Sequence, residues 1–381
     1  MLLKLHYPTE LLPLGRPVDL LIPFVGISNP EFDPGRLLTH TFSEYIDNAS
    51  KYFSFTSIDD CEVALLPIVY DPFNPDVAYK KSIQTYLKLT QAKKKKVLIF
   101  LDTFKEYKNI NCENAIIFSR ALSKSKQQKN VYSYPLFFED YIKYYQANKL
   151  LLRIKNIKPI VGFCGYSPPF GVKFGKAKAI GLIKLAANYA GVMRLFPNKS
   201  SHSTRSRVIW NLKKSNKVST NFSVKEVFAF GPNGQLNTGN TTESDHDFRK
   251  NFVNNILESS YTVCVRGLRN TSIRFFETIC CGRIPLFINT NCVLPFDFLI
   301  DWDNLIPWVD DKSLDKTDLV LANFHNNISD EDFIDLQKKM RALWQEYLSA
   351  DGFFKNIRLF LEHQKSINDV ADRYNSRARY K

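Results

Sequence analysis

Apolar residues in the first half of the chain gather in short runs separated by polar stretches of helix length. VDLLIPF (18–24), CEVALLPIV (61–69), VLIFLD (97–102), AIIFS (115–119) and VYSYP (131–135) read as strands, several of them flanked by Gly, Asn, Pro or Asp. Between the second and third, residues 75–93 set Val77, Ile83, Tyr86 and Leu87 on roughly one side, which predicts a helix. Near-continuous apolar strands alternating with helices are the pattern of a parallel sheet covered on both faces, so the fold class is α/β.

A helical stretch over 138–154 leads to KNIKP, where a domain boundary is expected. The division is then 1–155, 156–340 and a helical tail, 341–381, able to pack back on the first domain. In the second part KPIVGFC (158–164) begins as a strand and is broken by Gly165-Tyr166-Ser167-Pro168-Pro169. Residues 176–195 read as a helix, 200–220 as an exposed basic helix or loop, and 230–246 as a long surface loop. Phe248, Phe252, Ile256 and Leu257 give 247–259 helical spacing, with Asp245 or Asp247 to start it. Then come a strand (261–265), a helix (272–281), a strand (283–289) and a helical tail past 333.

The 381 residues are 44% hydrophobic and include 30 Phe and 18 Tyr, which excludes general disorder. The formal charge of +14, from 52 basic and 38 acidic residues, favours anionic partners. The basic residues are spread and no compact recognition module is legible, so nucleic acid is not the expected partner. Seven cysteines are scattered without zinc-ligand spacing and read as buried small hydrophobes in a reducing compartment. No uninterrupted apolar run of membrane-spanning length and no cleavage site is legible at the N-terminus. The expectation is a cytoplasmic protein, with peripheral contact at the cytoplasmic face of a membrane left open.

The chemistry concentrates in YTVCVRGLRNTSIRFFETICCGRIPLFINTNCVLPFDFLIDW, residues 261–302. A strand ends at Val265, and Arg266 and Gly267 follow at its carboxyl edge, where open α/β sheets gather ligands. The next helix starts near Thr271 or Ser272, either of which can cap it, and its first turn offers free amides and partial positive charge. Arg266 and Arg274 can grip phosphate by two-pronged contacts. Arg274 and Glu277 stand three apart on one helix face. Spacing alone allows an ordinary surface ion pair or a clamp with Arg274 on phosphate and Glu277 on sugar hydroxyls. Arg283 covers the helix end or faces the ligand, and Gly282 reads as a helix stop.

Arg266-Gly267, Ser272-Ile273-Arg274-Phe275-Phe276-Glu277, Gly282-Arg283-Ile284-Pro285, Leu294-Pro295-Phe296 and Ile300-Asp301-Trp302 follow one another in the order found in the exostosin family of glycosyltransferases, which this segment resembles. The resemblance is strongest over 250–310. It extends loosely to the strand and Gly at 163–165, and to ALLPIVY (64–70). It departs from the pattern at Arg283 and in lacking a legible membrane anchor. The resemblance implies a GT-B architecture: two Rossmann-like domains with mainly parallel sheets facing a central cleft, the donor site lying in the C-terminal one. It implies transfer, with inversion, from a nucleoside-diphosphate sugar, expected to be a UDP-sugar, to a hydroxyl of an oligosaccharide, polysaccharide or glycolipid. By the matched positions Arg266 and Arg274 would hold the donor phosphates and Glu277 the ribose. Gly165, Gly267 and Ser272 complete the expected donor site. No tightly bound cofactor is expected, and no metal is needed where arginines and a helix start can take up the charge.

Inversion requires a general base. Glu31 and Asp33, in the loop after the first expected strand, are the favoured candidates, ahead of His40, Asp71 and Asp102. Asp301-Trp302-Asp303 and Asp245-His246-Asp247 have the form of metal-holding pairs elsewhere, but sit in contexts that suit capping and surface roles. Lys173, Lys176, Lys178, Arg205 and Arg207 either help bind phosphate or are simply solvated. A retaining GT-B transferase, a non-catalytic glycan- or nucleotide-binding protein and a nucleic-acid binder are the competing readings.

Overall fold

A computed structural model describes residues 2–26, 40–102, 110, 112–168, 198–225, 245–267 and 269–367, with backbone only at 126, 198–200 and 245–248. The chain divides into two compact units. The first is Met1–Asp140 with Cys292–Ile300 and Leu343–Lys381; the second is Tyr141–Asn291 with Asp301–Ala342. The Leu294-Pro295-Phe296 part of the motif therefore belongs to the first unit, together with Ile300, although the motif residues up to Pro285 and those from Asp301 belong to the second.

The first unit holds a six-stranded sheet. Its strands are β1 (Leu3–His6), β2 (Phe53–Phe55), β3 (Val63–Leu65), β4 (Lys96–Leu101), β5 (Ala115–Ser119) and β6 (Val131–Ser133), in the order β2-β1-β3-β4-β5-β6. Every pairing is parallel. Val97, Leu98, Ile99, Ile116 and Ile117 are fully buried, as both-face coverage demands. The Val77–Ala92 helix turns Tyr79, Ile83, Tyr86 and Leu87 into that core. Asp76 caps it, accepting from the Ala78 amide at 2.8 Å; such a cap contributes about 1 kcal/mol. Behind the other face Phe118, Phe296, Phe353 and Phe360 form an aromatic cluster with centroids 4.8–5.8 Å apart.

The second unit holds β7 (Ile160–Tyr166), β8 (Ser219–Lys225), β9 (Tyr261–Cys264), β10 (Ile284–Asn289) and β11 (Trp308–Asp310), ordered β11-β10-β9-β7-β8 and again all parallel. The Asn198–Lys214 helix lies between β7 and β8 in the chain, Asp245–Leu257 between β8 and β9, and Ile273–Cys280 between β9 and β10. Numbered within its own unit, each sheet contains the order second, first, third, fourth, fifth. This is a doubly wound, Rossmann-like topology with a switch point beside the unit's first strand. The expected fold class is thus borne out: α/β, with two parallel-sheet units of the kind a GT-B architecture pairs.

Two expected elements differ. Residues 18–24 are not a strand but a 3₁₀ turn, Asp19–Leu21, running into a short helix, Ile22–Val25. Pro23 cannot donate to a ladder and suits a first helical turn, while an apolar run does not by itself distinguish strand from buried helix. The helix expected over 138–154 stops at Tyr145. Ala147 and Asn148 take positive φ of 48° and 59°, a left-handed exit that ends helices. Strands β1, β2, β8 and β11 were not foreseen. The stretches 176–195 and 230–244 lie outside the described residues. Among the described residues no helix is long and apolar enough to cross a membrane.

Candidate functional site

The switch point of the second unit lies between β7 and β9, where the chain passes from one side of β7 to the other. The two strands pair only through Val161↔Tyr261 and Gly162↔Thr262. The Ile160 carbonyl accepts from the Ser260 amide, so alternation turns the carbonyls of Gly162, Cys164 and Tyr166 to the same side. Beyond Gly162 the register with β9 ends, and on that side two arginine side chains reach the strand. Arg274 Nη2 donates to the Cys164 carbonyl at 2.7 Å, and Arg205 Nη1 donates to the Tyr166 carbonyl at 2.9 Å. The guanidinium carbons lie 4.5 Å and 6.0 Å from the centroid of the Phe163 ring.

Gly165 sits between those two carbonyls. Its φ of +139° is one that side chains rarely adopt, and an added Cβ would lie 3.0 Å from Arg274 Nη2. Glycine is needed here because backbone and guanidinium approach each other closely.

Arg274 and Glu277 do not form the ion pair their spacing allows. Neither Arg274 nor Arg205 has a carboxylate within 4 Å among the described residues, and the buried Nε of each has no hydrogen-bond partner. Glu277, buried at 3% exposure, is balanced from elsewhere. Tyr141 Oη donates to its Oε1 at 2.7 Å, Arg249 Nη1 donates to that hydroxyl at 2.6 Å, and Arg249 lies 3.5 Å from Oε1. Burial first, and then the Glu277 charge, push the Tyr141 phenol far above its ordinary range, so it remains a donor. Oε2 receives no hydrogen bond from a described residue. Arg249 therefore compensates the carboxylate and leaves Arg274 for something else.

The remaining expected residues fall around this centre. Arg266 is half-buried just past β9. Gly267 stands in open space, but its amide is committed to the Thr271 carbonyl at 3.0 Å. Ser272 occupies the N-cap position with extended backbone, yet its side chain makes no capping bond, contrary to expectation. The first turn of Ile273–Cys280 thus lacks a side-chain cap. Asn270 accepts from Thr290 Oγ1 at 2.8 Å and donates to the Asn291 carbonyl, which ties the loop to the end of β10.

Several alternatives separate here. Arg283 is fully buried, and its nitrogens donate to the carbonyls of Leu151, Leu257, Cys281 and Gly282 and to Gln337 Oε1. Burial lowers its pKa to about 10, and it covers the helix end. Gly282 has φ +62° and is the helix stop; a Cβ would meet Leu150 at 2.7 Å. Arg207 is exposed. Trp302 packs edge-on against Phe275, and Trp308 against Phe287. Asp301 heads a short helix and accepts from Asn304. All seven cysteines are buried and none is in a disulfide, and burial raises the Cys264 thiol to about 12.

Glu31 and Asp33 lie outside the described residues, as do Lys173, Lys176, Lys178 and the side chains of Asp245, His246 and Asp247. His40 is exposed. Asp71 is a turn residue, its Oδ1 accepting from the Phe73 amide. Asp102 is engaged by Arg16 and Arg120, each at 3.1 Å. Sequence reasoning missed Tyr141 and Arg249 and left Arg205 undecided. All three reach the site from other elements, and no local motif marks them.

The fold and site define a class: a doubly wound α/β protein with a guanidinium-lined switch point in its second unit. No family model matches the chain. Two curated relatives are similar over part of it. Exostosin-1 of Drosophila melanogaster is 28% identical over 118 residues, which are 30% of this chain and 15% of that protein. Exostosin-1b of Danio rerio is 25% identical over 111 residues, 29% of this chain and 14% of that protein. The chain thus matches only a small part of the length of these relatives. The resemblance to the exostosin glycosyltransferases is borne out to that extent.

Proposed function

We propose that the chain is a glycosyltransferase that moves a sugar from a nucleoside-diphosphate sugar, a UDP-sugar, to a hydroxyl of a glycan or glycolipid acceptor, with inversion and without a metal. The exostosin relatives support the general class. The observation that carries the donor is Arg274, a guanidinium at the switch point that has, among the described residues, no partner for its buried Nε and no carboxylate, beside a Glu277 whose charge is met by Arg249. A departing diphosphate gains negative charge as the bond to the anomeric carbon breaks. Arg274, Arg266 and the uncapped helix start supply positive charge where that happens. Glu277 Oε2 accepts from the ribose hydroxyls, and Tyr141 holds the other oxygen in place.

In the reaction the acceptor oxygen bonds to the anomeric carbon, the carbon–oxygen bond to the diphosphate breaks, and the acceptor proton passes to a base. Glu31 and Asp33 remain the proposed base. Asp102 is a poorer choice, because two guanidiniums already engage its carboxylate.

Heat stabilisation of the protein by a panel of nucleotide sugars tests the reading. UDP-sugars should raise the unfolding temperature most, and the product made with the best donor should show an inverted anomeric centre by NMR. No stabilisation by any nucleotide sugar or nucleoside diphosphate would overturn the proposal.

A further inference from the structure

We infer that Arg205 is a second anion-gripping residue of the donor site, forming with Arg274 a two-pronged diphosphate cage across the open edge of β7. This rests on the donor-site reading above and extends it to a different helix.

Arg205 projects from the Asn198–Lys214 helix, whereas Arg274 comes from the one after β9. The two guanidiniums fasten to carbonyls two residues apart on one strand side, a span of roughly 7 Å. They flank the single position, Gly165, whose backbone carries no side chain. The Phe163 ring beneath both gives them a shared apolar floor. Among the described residues each guanidinium uses one nitrogen to hold its place, leaving most of its donors uncommitted there. Neither has a carboxylate partner among the described residues, and the buried Nε of each lacks an acceptor.

Two cations brought together without a counter-charge repel. Burial first, and then the charge of Arg274, lower the Arg205 pKa to about 10. Ordinary packing pairs such groups with carboxylates or separates them. An arrangement that holds them together instead fits an anion with charge on two phosphates. His202, one helical turn from Arg205, has its ring 5.2 Å from Tyr166, and burial and Arg205 lower its pKa, so it adds no third positive charge near neutrality. Arg207 is exposed and serves as an internal control.

Calorimetric titration with inorganic pyrophosphate and with UDP tests the cage on the full chain. Wild type should bind both, and R205A should weaken each at least tenfold. R274A should weaken both further, UDP at least 100-fold, and R207A should match wild type. R205K, which keeps the charge but loses the fork, should fall between R205A and wild type; it also reports on the position if R205A fails to fold. UDP binding that needs Arg274 but is unchanged in R205A and R205K would overturn the inference and leave the donor reading standing. Pyrophosphate binding that depends on both arginines, with no binding of any nucleoside diphosphate, would keep the cage and overturn the donor reading. No pyrophosphate binding and no nucleoside diphosphate binding by wild type would overturn both.

Discussion

In both units the strands run in a doubly wound order, and in both, arginines gather at the carboxyl edge of the sheet. In the first unit Arg16 and Arg120 meet Asp19 and Asp102 in a closed square, with contacts of 2.7, 2.8, 3.1 and 3.1 Å. Burial alone would lower the pKa of Arg120, but Tyr134, Asp102 and Asp19 outweigh it and keep the guanidinium charged. Two positive charges face two negative ones, and the Arg120 guanidinium lies 4.4 Å from the Tyr134 ring. In the second unit, among the described residues, Arg205 and Arg274 hydrogen-bond only to backbone carbonyls and lie over aromatic rings, Phe163 for both and Phe252 for Arg274. The same residue type at the same edge is thus a fastener where its charge is matched and, in the reading proposed above, a ligand site where it is not. The total of +14 did not separate these cases; the local balance does.

Breaking the square should give the largest change in stability. Arg120→Ala leaves two buried carboxylates short of a partner and should cost about 3–5 kcal/mol, read by chemical denaturation, with nucleotide affinity unchanged in the protein that remains folded. Arg283→Ala belongs with it, because several carbonyls and Gln337 lose their donor; a loss of about 3 kcal/mol is expected. The second unit should behave in the opposite sense. Arg205→Ala loses one bond to a carbonyl but relieves repulsion, so stability without ligand should shift by no more than about 1 kcal/mol while diphosphate binding collapses. A stability loss in Arg205→Ala as large as in Arg120→Ala would erase the contrast.

The smallest effect is one of pH. His325 Nε2 donates to the Asn156 carbonyl at 2.7 Å, so Nδ1 accepts from Tyr261 Oη at 3.0 Å and the ring is neutral. Burial holds its pKa below the ordinary value. The neutral ring's contribution is complete above about pH 6.5, the unfolded value, and is lost as pH falls below it. Thermal midpoints should therefore drop by a few degrees, roughly, between pH 7.5 and 5.5, and His325→Gln should flatten that slope.

Much of this architecture was readable because buried parallel strands leave continuous apolar runs: VLIFLD, AIIFS and RIPLFIN each became a strand. Strand β8 was not readable, since STNFSVK is a largely exposed sheet edge with few apolar residues. Strands β1, β2 and β11 are only four, three and three residues long. The segment 266–277 was readable as a site because its parts are contiguous. Which charge meets which was not. Arg249 and Tyr141 approach Glu277 from positions 28 and 136 residues away in the chain (277 − 249 and 277 − 141), and only folding shows that they, rather than Arg274, balance it.

The central claim is that Arg274 is held for a ligand's phosphates and not for the fold. Its most direct test is calorimetric titration of UDP into wild type and R274A, with thermal unfolding of both proteins free of ligand. The account predicts that R274A loses at least 100-fold in affinity, about 2.7 kcal/mol, with its unfolding midpoint close to that of wild type. Equal affinity in the two proteins, or an R274A midpoint that falls as steeply as that of Arg120→Ala, would contradict it.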